Sequence, residues 1–528
     1  MIKNRVKNKA DVTIMGGGLA GLGLARQLKR STPELDVLIV ERNKFPVPDT
    51  TAKVGESTVE LASHYLVDTL GLKKHFEQSH LRKHGLRCFF GTPSNDYSEQ
   101  DELGVSELFG IPTYQLDRGV LENHLHDELI NLGVNIVEGA TTKEVSLGKQ
   151  NHCIKVATDE GEKNFSSRWL VDAAGRQKLI SNKLNLTKTV GHKGNAVWFR
   201  IDRRVVLDTW SEEAQWQNRL QDKGTRWLST NHLTGPGYWV WVIPLGTGTT
   251  SIGIVMDDQA LEQSGITSLD EALRWLDTHQ PRCAEAISGA KVLDFCLIRD
   301  YAYGCKKMFS DDGWCLTGEA GAFSDPFYSP GSDFIAINNT FIDHLIACEK
   351  SGQDIRRDSA LFHVFYNSFF DNTLSLYSHQ YGGFGDRRMM GVKLLWDYSY
   401  YWGVLTLLFY KNAMTDAELI LDLNPLLKQA SSLNATVQEK LRDRAKKRLV
   451  LPAQGVFLDQ YKIPCLRHFN NVLKASESID IKTALVENVA ILKRVAAYSI
   501  DILADNASAN VADDERDLFG DYRQSLLA

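Results

Sequence analysis

The pattern of apolar positions predicts a parallel sheet whose strands come from distant parts of the chain. Short apolar runs occur at residues 11–15, 169–171 and 314–316, and each ends at a turn rich in glycine or alanine. A short continuous apolar run that ends at such a turn is typical of a buried strand. Because parallel strands end at a common edge, we expect the three turns to lie together at one edge of the sheet.

The first of these strands opens a β-α-β unit. Residues 19–28 follow a glycine turn and predict a helix, and residues 36–40 form a second apolar run that ends at Glu41. This order of strand, glycine turn, helix and strand is the arrangement in which a helix N-terminus faces a dinucleotide phosphate.

The middle of the chain has a different pattern. Within residues 190–300, segments such as 196–202 and 238–255 are rich in β-branched and aromatic residues. Such segments are typical of strands, so we predict an inserted sheet in this region.

The last third of the chain is predicted to be helical. Residues 335–348, 361–377 and 436–448 have the apolar period of helices. We therefore predict an α/β protein with a first domain at residues 1–340 and a helical C-terminal lobe at residues 341–528. Aromatic residues of this lobe are typical of a core and are also candidates to line a pocket. They include Trp396, Tyr398, Tyr401 and Trp402.

Composition and charge exclude several classes of function. The 528 residues carry a formal net charge of -6, so a nucleic-acid partner is not expected. The eight cysteines form no C-x-x-C pair, so we predict neither a metal site nor a disulfide framework. The longest apolar run, at residues 400–410, is about half the length of a membrane span. With no signal pattern at residues 1–9, the sequence predicts a cytoplasmic protein without a membrane span.

The turn after residue 15 has the spacing of a dinucleotide fingerprint. Gly16 permits the turn, Gly18 lets the backbone approach a pyrophosphate, and Gly21 lets the helix pack closely on the sheet. Glu41 lies where a carboxylate binds ribose hydroxyls. A chance glycine-rich turn is the alternative, but strand, helix and acid all agree with a dinucleotide site. The predicted residues are Gly16, Gly18, Ala20, Gly21, Glu41 and Arg42.

A second motif, Trp239-Val240-Trp241-Val242-Ile243-Pro244, lies in the predicted inserted sheet. Large apolar residues that alternate and end at proline also fit a buried strand. The complete motif W-x-W-x-I-P downstream of a glycine fingerprint resembles the flavin-dependent halogenases, whose signature is this pair. The resemblance covers residues 1–340. It implies an FAD-binding Rossmann-like domain of the para-hydroxybenzoate hydroxylase type, with Trp239 and Trp241 beside the flavin.

The resemblance implies further contacts with FAD. Arg118 follows Asp117 before a predicted helix at residues 120–132, and FAD monooxygenases and halogenases place the arginine of such a pair near the flavin. A capping aspartate beside a surface arginine is the alternative. Gly318-Glu319 is similar to the Gly-Asp motif that holds the ribityl chain and pyrophosphate in this superfamily, with glutamate in place of aspartate. The other residues implied at the cofactor are Glu56, Asp172, Pro326 and Gly331.

Lys83 is the catalytic residue that the resemblance implies. A lysine in a basic segment is ordinarily solvated. The family, however, carries a K-x-G lysine downstream of a flavin-contacting strap, and Lys83 is similar to it in position, downstream of Val54-Gly55-Glu56-Ser57. Its implied role is to hold hypohalous acid or to be halogenated by it, and a buried ammonium suits either role. Lys53, Lys73 and Lys74 are the alternatives.

The segment from Phe323 to Gly331 matches a second family pattern, F-x-x-P-x-x-S-x-G. In the family, backbone N–H groups of this loop bind halide beside the flavin. Pro330 has no N–H to donate. We therefore expect Ser329, Gly331 and Ser332 to form the halide site, with the Ser332 hydroxyl in compensation.

The family implies an enzyme that uses FADH2 and O2, with chloride or bromide as co-substrate, to halogenate an electron-rich phenol, indole or pyrrole. Tyr328 stands where tryptophan halogenases carry a catalytic glutamate, so free tryptophan is not an expected substrate. The substrate is small and aromatic, either free or bound to a carrier protein. Because the chain has no second nicotinamide fingerprint, a separate NAD(P)H-dependent flavin reductase is the expected source of FADH2.

Two other functions stay open. Pro330 would fit an FAD monooxygenase or dehydrogenase that acts without halide on an aromatic or polyene substrate. A non-catalytic flavin-binding partner in a biosynthetic complex is the second alternative.

Overall fold

The computed structural model describes residues 8–50, 53–91, 93–475, 478–504, 507 and 513–527. Residues 1–7, on which the prediction of a cytoplasmic location partly rests, lie outside the described residues.

The chain forms two compact units, each assembled from three segments. Unit 1 comprises Met1–Ser79, Leu116–Val190 and Ala302–Phe370. The rest of the chain forms unit 2, whose segments are His80–Gln115, Gly191–Tyr301 and Asp371–Ala528. These units differ from the predicted ranges 1–340 and 341–528, because the chain leaves unit 1 and returns to it twice. The predicted insertion groups with the C-terminal helices, in unit 2.

The described strands are numbered in chain order. The first ten are β1 (Lys9–Met15), β2 (Val37–Val40), β3 (Leu81–Arg82), β4 (Leu86–Phe90), β5 (Asp101–Gly104), β6 (Tyr114–Gln115), β7 (Asn135–Val137), β8 (Thr141–Ser146), β9 (His152–Thr158) and β10 (Gly161–Asp172). The others are β11 (Thr187–Lys188), β12 (Asn195–Ile201), β13 (Thr230–Gly235), β14 (Tyr238–Pro244), β15 (Thr250–Met256), β16 (Val292–Ile298), β17 (Gly304–Cys305), β18 (Trp314–Leu316) and β19 (Phe457–Asp459).

The described α-helices are numbered in the same way. Those that begin before residue 300 are α1 (Leu19–Ser31), α2 (Glu60–His64), α3 (Lys73–Ser79), α4 (Arg118–Asn131), α5 (Leu179–Lys183), α6 (Ala214–Gln217), α7 (Asp258–Ser264), α8 (Leu269–His279) and α9 (Pro281–Ile287). The later ones are α10 (Pro330–Lys350), α11 (Arg356–Ser375), α12 (Arg387–Tyr400), α13 (Leu407–Tyr410), α14 (Ala417–Ala445), α15 (Pro464–Lys474), α16 (Ile481–Leu503), α17 (Asp513–Phe519) and α18 (Tyr522–Leu527).

Unit 1 contains a seven-stranded sheet in the order β7-β2-β1-β10-β9-β8, with β18 also paired to β10. Strands β7, β2, β1, β10 and β18 pair in parallel. Met15 pairs with Val40 on one side and with Asp172 on the other, and Asp172 pairs in turn with Leu316. The strands before the three predicted turns therefore end at the same edge, which confirms the expectation from the sequence.

Unit 2 contains an eight-stranded sheet in the order β16-β12-β15-β14-β13-β4-β5-β19. Five of these strands lie in the predicted insertion, so the inserted sheet is confirmed. Strands β4, β5 and β19 come from outside it and extend the sheet. The apolar face of the sheet packs against buried aromatic side chains such as Trp210 and Trp216.

The C-terminal helices begin where the sequence provides capping residues. The carboxylates of Asp386, Asp416 and Asp480 accept hydrogen bonds from backbone N–H groups in the first turns of α12, α14 and α16. Such caps satisfy amides that have no partner inside the helix. The predicted segment 436–448 is the end of α14, a 29-residue helix. Within the described ranges, every helix is too short or too polar to span a bilayer.

Candidate functional site

The glycine turn after β1 is compact enough to exclude larger residues. Gly16 has a φ of 116°, and a Cβ atom there would lie 2.3 Å from the carbonyl oxygen of Ala173. A Cβ atom on Gly21 would lie 2.0 Å from the carbonyl oxygen of Gly16. Gly18 is the N-cap of α1, which has no side-chain cap and no acidic residue in its first turn. The first backbone N–H groups of α1 are therefore suited to a phosphate group.

Glu41 closes the glycine turn from the end of β2. One carboxylate oxygen accepts a hydrogen bond from the Gly17 N–H at 2.6 Å, and the other accepts from the backbone and side chain of Asn43 at 2.8 and 2.7 Å. Arg42 is exposed beside it. Glu41 thus shapes the turn, and its role toward a ribose stays a prediction.

Arg118 is the first residue of α4 and is held from two sides. Its Nη1 donates to the carbonyl oxygen of Val54 at 2.8 Å, and its Nη2 donates to Glu122 at 2.8 Å. Its Nε is buried and has no hydrogen-bond partner among the described residues. Asp117 lies at the N-cap of α4, yet its side chain makes no capping bond to the described first turn. The structure therefore does not show the alternative, a helix-capping Asp117 beside a surface arginine.

Two of the other predicted cofactor residues have clear local roles. Asp172 is fully buried and accepts hydrogen bonds from the N–H groups of Ala174 and Ile180 at 3.0 and 2.7 Å. Burial raises the pKa of Asp172 to about 6, against the opposing effect of these bonds. Glu319 pairs with Arg176 at 2.8 Å, and both side chains are about one third exposed. Asp172 therefore shapes its own loop, whereas the carboxylate of Glu319 is accessible.

Gly318 brings the third turn against the first. Its φ is 59°, and a Cβ atom there would lie 3.2 Å from the Cβ atom of Ala20. Asn339 of α10 connects the same two turns, since it accepts a hydrogen bond from Thr317 and donates to the carbonyl oxygen of Ala20. Sequence reasoning missed Asn339. The sequence signal that could have found Asn339 is a polar amide side chain on a helix whose neighbouring residues are mostly apolar.

The loop before α10 is held in an unusual conformation. Tyr328 and Ser329 have positive φ angles of 70° and 57°, which cost non-glycine residues free energy. The Ser329 N–H donates to the carbonyl oxygen of Pro326 at 3.0 Å. Pro330 is the first residue of α10, where a missing N–H costs the helix no internal hydrogen bond.

The residues predicted to bind halide lie at the start of α10. Gly331 and Ser332 occupy the first turn, in which backbone N–H groups have no partner inside the helix. The Ser332 hydroxyl donates to the carbonyl oxygen of Ser329 at 3.4 Å. Together with Ser329 at the N-cap, these residues form one turn, in agreement with the predicted grouping.

Lys83 belongs to unit 2 and is buried, with 3% of its surface exposed. Its backbone N–H donates to the carbonyl oxygen of Thr113 at 2.8 Å. Its charge adds to burial, the larger cause, in lowering the pKa of His232 to about 3. Lys83 is therefore not a solvated lysine. Of the alternatives, Lys73 and Lys74 are exposed.

The two motif tryptophans lie on β14 in the same unit. The ring of Trp239 lies 5.2 Å from the ring of His232 and 5.7 Å from that of Trp241, between centroids. Trp241 donates to the Ser251 hydroxyl at 3.1 Å, and its ring covers Gly253, where a Cβ atom would lie 2.2 Å from it. Lys83, His232, Trp239 and Trp241 thus form one buried group, called the lysine–tryptophan cluster below. Sequence reasoning missed His232.

The remaining predicted positions fall into two groups. Glu56 is buried, and its carbonyl oxygen accepts the Leu116 N–H at 2.7 Å in unit 1. Among the C-terminal aromatic residues, Trp396 and Trp402 are buried, and Trp396 donates to Asn434 at 2.9 Å. These two tryptophans have the burial of core residues.

The sequence is similar to those of known halogenases. The sequence model of the family described as Tryptophan halogenase matches residues 11–91 and 98–355, which is more than half of the chain. The flavin-dependent halogenase chlA of Dictyostelium discoideum is 27% identical over 363 residues, which cover 62% of this chain and 58% of that protein. The chain thus spans less than two thirds of the length of this relative. The 1H-pyrrole-2-carbonyl-(peptidyl-carrier protein) chlorinase of Pseudomonas fluorescens is 24% identical over 354 residues, which cover 63% of this chain and 74% of that protein.

Solved structures share the fold. Halogenase PltM has a TM-score of 0.65 at 17% identity, over 94% of this chain and 97% of that one. A flavoprotein/dehydrogenase from Cytophaga hutchinsonii has a TM-score of 0.59 at 20% identity, over 89% of this chain and 100% of that one. These likenesses confirm the predicted α/β fold with a helical C-terminal part. Since the family model matches most of unit 1 and the strands that carry the lysine–tryptophan cluster, the chain belongs to the tryptophan halogenase family of flavin-dependent halogenases.

Proposed function

We propose that the chain is an FADH2- and O2-dependent halogenase that modifies an electron-rich aromatic compound by way of Lys83. The observation that carries this proposal is the lysine–tryptophan cluster. Lys83 is buried, and its charge acts on His232. The ring of Trp239, which lies next to that of Trp241, is 5.2 Å from the ring of this histidine. The names of the relatives, a flavin-dependent halogenase and a carrier-protein chlorinase, support the same class of reaction.

The residues of unit 1 fit FAD. The glycine turn at the start of α1 would hold the pyrophosphate, Glu41 the ribose, and Arg118 the flavin end. When bound in its reduced form, with O2, a halide ion and a proton, FAD supplies hypohalous acid and water. The N–H groups of Gly331 and Ser332, in the first turn of α10, would bind the halide, because a helix N-terminus favours an anion.

Lys83 would hold and activate the hypohalous acid. Its ammonium donates a hydrogen bond to the oxygen atom, which polarises the oxygen–halogen bond. A ring carbon of the substrate then takes the halogen, and the displaced proton leaves with the hydroxide as water. Burial of Lys83 keeps a reactive oxidant away from solvent and from wrong nucleophiles.

The substrate class follows from the aromatic chemistry and from one substitution. Hypohalous acid attacks electron-rich rings, so phenols, indoles and pyrroles are the proposed substrates. Tyr328, in place of a glutamate, argues against free tryptophan. Two relatives are named for pyrrole groups on a carrier protein, so a carrier-bound ring is included. We also propose a separate NAD(P)H-dependent flavin reductase and a cytoplasmic location.

A second candidate rests on Pro330. Because this residue removes one N–H from the turn that would bind halide, the chain could instead oxygenate an aromatic or polyene substrate without halide. A third candidate is a non-catalytic flavin-binding partner. The halogenase needs halide and Lys83, and the monooxygenase needs neither. The non-catalytic partner turns over no substrate.

The test is a product assay with matched variants. FAD, a flavin reductase, NADH and bromide or chloride are supplied with phenols, indoles and carrier-bound pyrroles, and products are identified by mass spectrometry. We expect halogenated product from wild type, and a loss of about 100- to 10000-fold in Lys83→Ala, the range typical of a missing catalytic group. The control Lys73→Ala removes an exposed lysine and should retain activity.

Two readouts separate the candidates. FAD affinity should be unchanged in Lys83→Ala, which shows that the loss is not one of cofactor binding. Oxygenated product formed without halide would support the monooxygenase. Full halogenation by Lys83→Ala would contradict the assigned role of this lysine.

A further inference from the structure

Three metal-ligating side chains meet near the end of α10, in unit 1. His344 and Cys348 lie one helical turn apart on α10, and Asp358 lies in the first turn of α11. His344 Nε2 lies 3.3 Å from Cys348 Sγ and 3.5 Å from Asp358 Oδ2, and the three ligand atoms lie within 4.8 Å of one another. We propose that these residues bind a divalent transition-metal ion of the zinc class.

The orientation of the ring argues against a hydrogen-bonded relay. In a catalytic triad, the nucleophile and the carboxylate face different nitrogens of the histidine. Here Cys348 and Asp358 both face Nε2 of His344. That nitrogen carries one proton at most, so it cannot donate to one neighbour while it accepts from the other. A cation between the three atoms satisfies all of them together.

The distances agree with tetrahedral coordination. Zinc lies about 2.3 Å from sulfur and about 2.0–2.2 Å from nitrogen or oxygen. At tetrahedral angles these bond lengths place ligand nitrogen and sulfur about 3.6 Å apart, and nitrogen and oxygen about 3.4 Å apart. The observed separations from His344 Nε2, 3.3 and 3.5 Å, are close to these values. The third separation, between Cys348 Sγ and the Asp358 carboxylate, is at most 4.8 Å.

The donor atoms of the three side chains indicate which ion would bind, and the exposure of the side chains shows that solvent reaches the site. A thiolate and an imidazole favour zinc-like ions over Mg2+ and Ca2+, which prefer oxygen ligands. The side chains of His344 and Asp358 are 29% and 24% exposed, so an ion has access from solvent and water can take a fourth position. The bound ion would connect α10 to α11. Cysteine spacing gave no sign of this site, because one ligand lies on the next helix.

The test measures zinc content in the full chain, prepared without a polyhistidine tag. After removal of metal with a chelator, the protein is dialysed against Zn2+, and bound zinc is measured by inductively coupled plasma mass spectrometry. We expect one ion per wild-type chain. Cys348→Ser and His344→Gln should bind more than about 100-fold more weakly, beyond the 10- to 100-fold typical of losing a residue that only supports a ligand. Asp358→Asn keeps a neutral oxygen donor and should lose less affinity than these two variants.

The control is Cys153→Ser, which removes an exposed thiol from β9 in the same unit and should leave zinc binding unchanged. Two further measurements keep the result independent of any folding defect. Zn2+ should raise the thermal midpoint of wild type and Cys153→Ser but not of Cys348→Ser. Co2+ should give a thiolate charge-transfer band in wild type and Cys153→Ser, and Cys348→Ser should lack it. Zinc binding that persists in His344→Gln and Cys348→Ser, or no binding by wild type, would overturn the proposal.

Discussion

The backbone N–H of Gly17 donates to a carboxylate oxygen of Glu41 over 2.6 Å, so the end of β2 fixes the glycine turn that follows β1. A Cβ atom on Gly17 would lie 2.9 Å from the Cβ atom of Glu41, which shows how closely the two chain segments approach. The acid that sequence spacing assigns to a ribose therefore also shapes the turn that would hold the pyrophosphate.

Glu41→Ala should weaken FAD binding by about 10- to 100-fold, since hydrogen bonds to a charged group contribute about 1.5–3 kcal/mol. Glu41→Gln retains one acceptor and should lose less. FAD affinity can be measured by quenching of flavin fluorescence. Glu144→Gln, an exposed position on β8, is the control. Equal affinity in wild type and Glu41→Ala would mean that the carboxylate does not bind the cofactor.

Pro330→Ala restores a backbone N–H at the first position of α10. If halide binds at this turn, the halide concentration that gives half-maximal halogenation should fall by roughly tenfold, which corresponds to one hydrogen bond to an anion. FAD affinity should not change. Removal of proline should also cost about 0.4–1 kcal/mol of stability, because the unfolded chain gains freedom. An unchanged halide dependence would place the halide elsewhere.

His232 predicts a specific dependence of stability on pH. Burial, with a smaller contribution from the charge of Lys83, lowers its pKa to about 3, so the folded protein keeps the imidazole neutral. The unfolded chain binds this proton below about pH 6.5. The contribution of the neutral His232 side chain to the free energy of unfolding is therefore fully present above pH 6.5 and is lost as the pH falls toward 3.

The matched variant for this effect is His232→Gln. Between pH 7 and pH 5, wild type should lose about 2 kcal/mol more of its free energy of unfolding than the variant loses. Urea unfolding at a series of pH values provides the measurement. Parallel stability curves for the two proteins would show that His232 is not buried in its neutral form.

Glu102 holds the strand that follows the Lys83 segment. Its carboxylate contacts Arg87 and also accepts from Arg226 and Arg219, each at 3.0 Å. The side chains of Arg87, Glu102 and Arg226 are fully buried. Glu102→Gln removes the counter-charge of the buried Arg87, whereas Arg226 keeps Asp208 at 3.7 Å. The substitution should cost about 3–5 kcal/mol.

The urea midpoint of unfolding measures this loss. The control Glu99→Gln removes a charge from an exposed neighbour and should stay within about 0.5 kcal/mol of wild type. A loss below about 1 kcal/mol in Glu102→Gln would show that other groups balance the charges of Arg87 and Arg226.

The sequence by itself determined the edge of unit 1 at which the glycine turns meet. A strand that ends in a glycine turn is a local pattern, and local backbone geometry decides it. Gly16 and Gly21 had to be glycine because the turn brings backbone to within van der Waals distance. The ends of β1, β10 and β18 could be predicted to meet because parallel strands share an edge, although more than 100 residues separate them.

Tertiary structure decided which polar residues are buried and which chain segments form one unit. Nothing in the basic segment around Lys83 distinguishes it from a solvated lysine, because it is buried in a unit that includes His232 on β13, far along the chain. The same holds for Asn339, which connects two turns, and for His344 and Cys348, whose partner Asp358 lies on another helix. The predicted contiguous ranges differ from the two compact units for a related reason, since a sheet is assembled by strand pairing and not by the order of strands along the chain. Local patterns specify turns and elements, whereas burial and charge environment follow only from packing between distant segments.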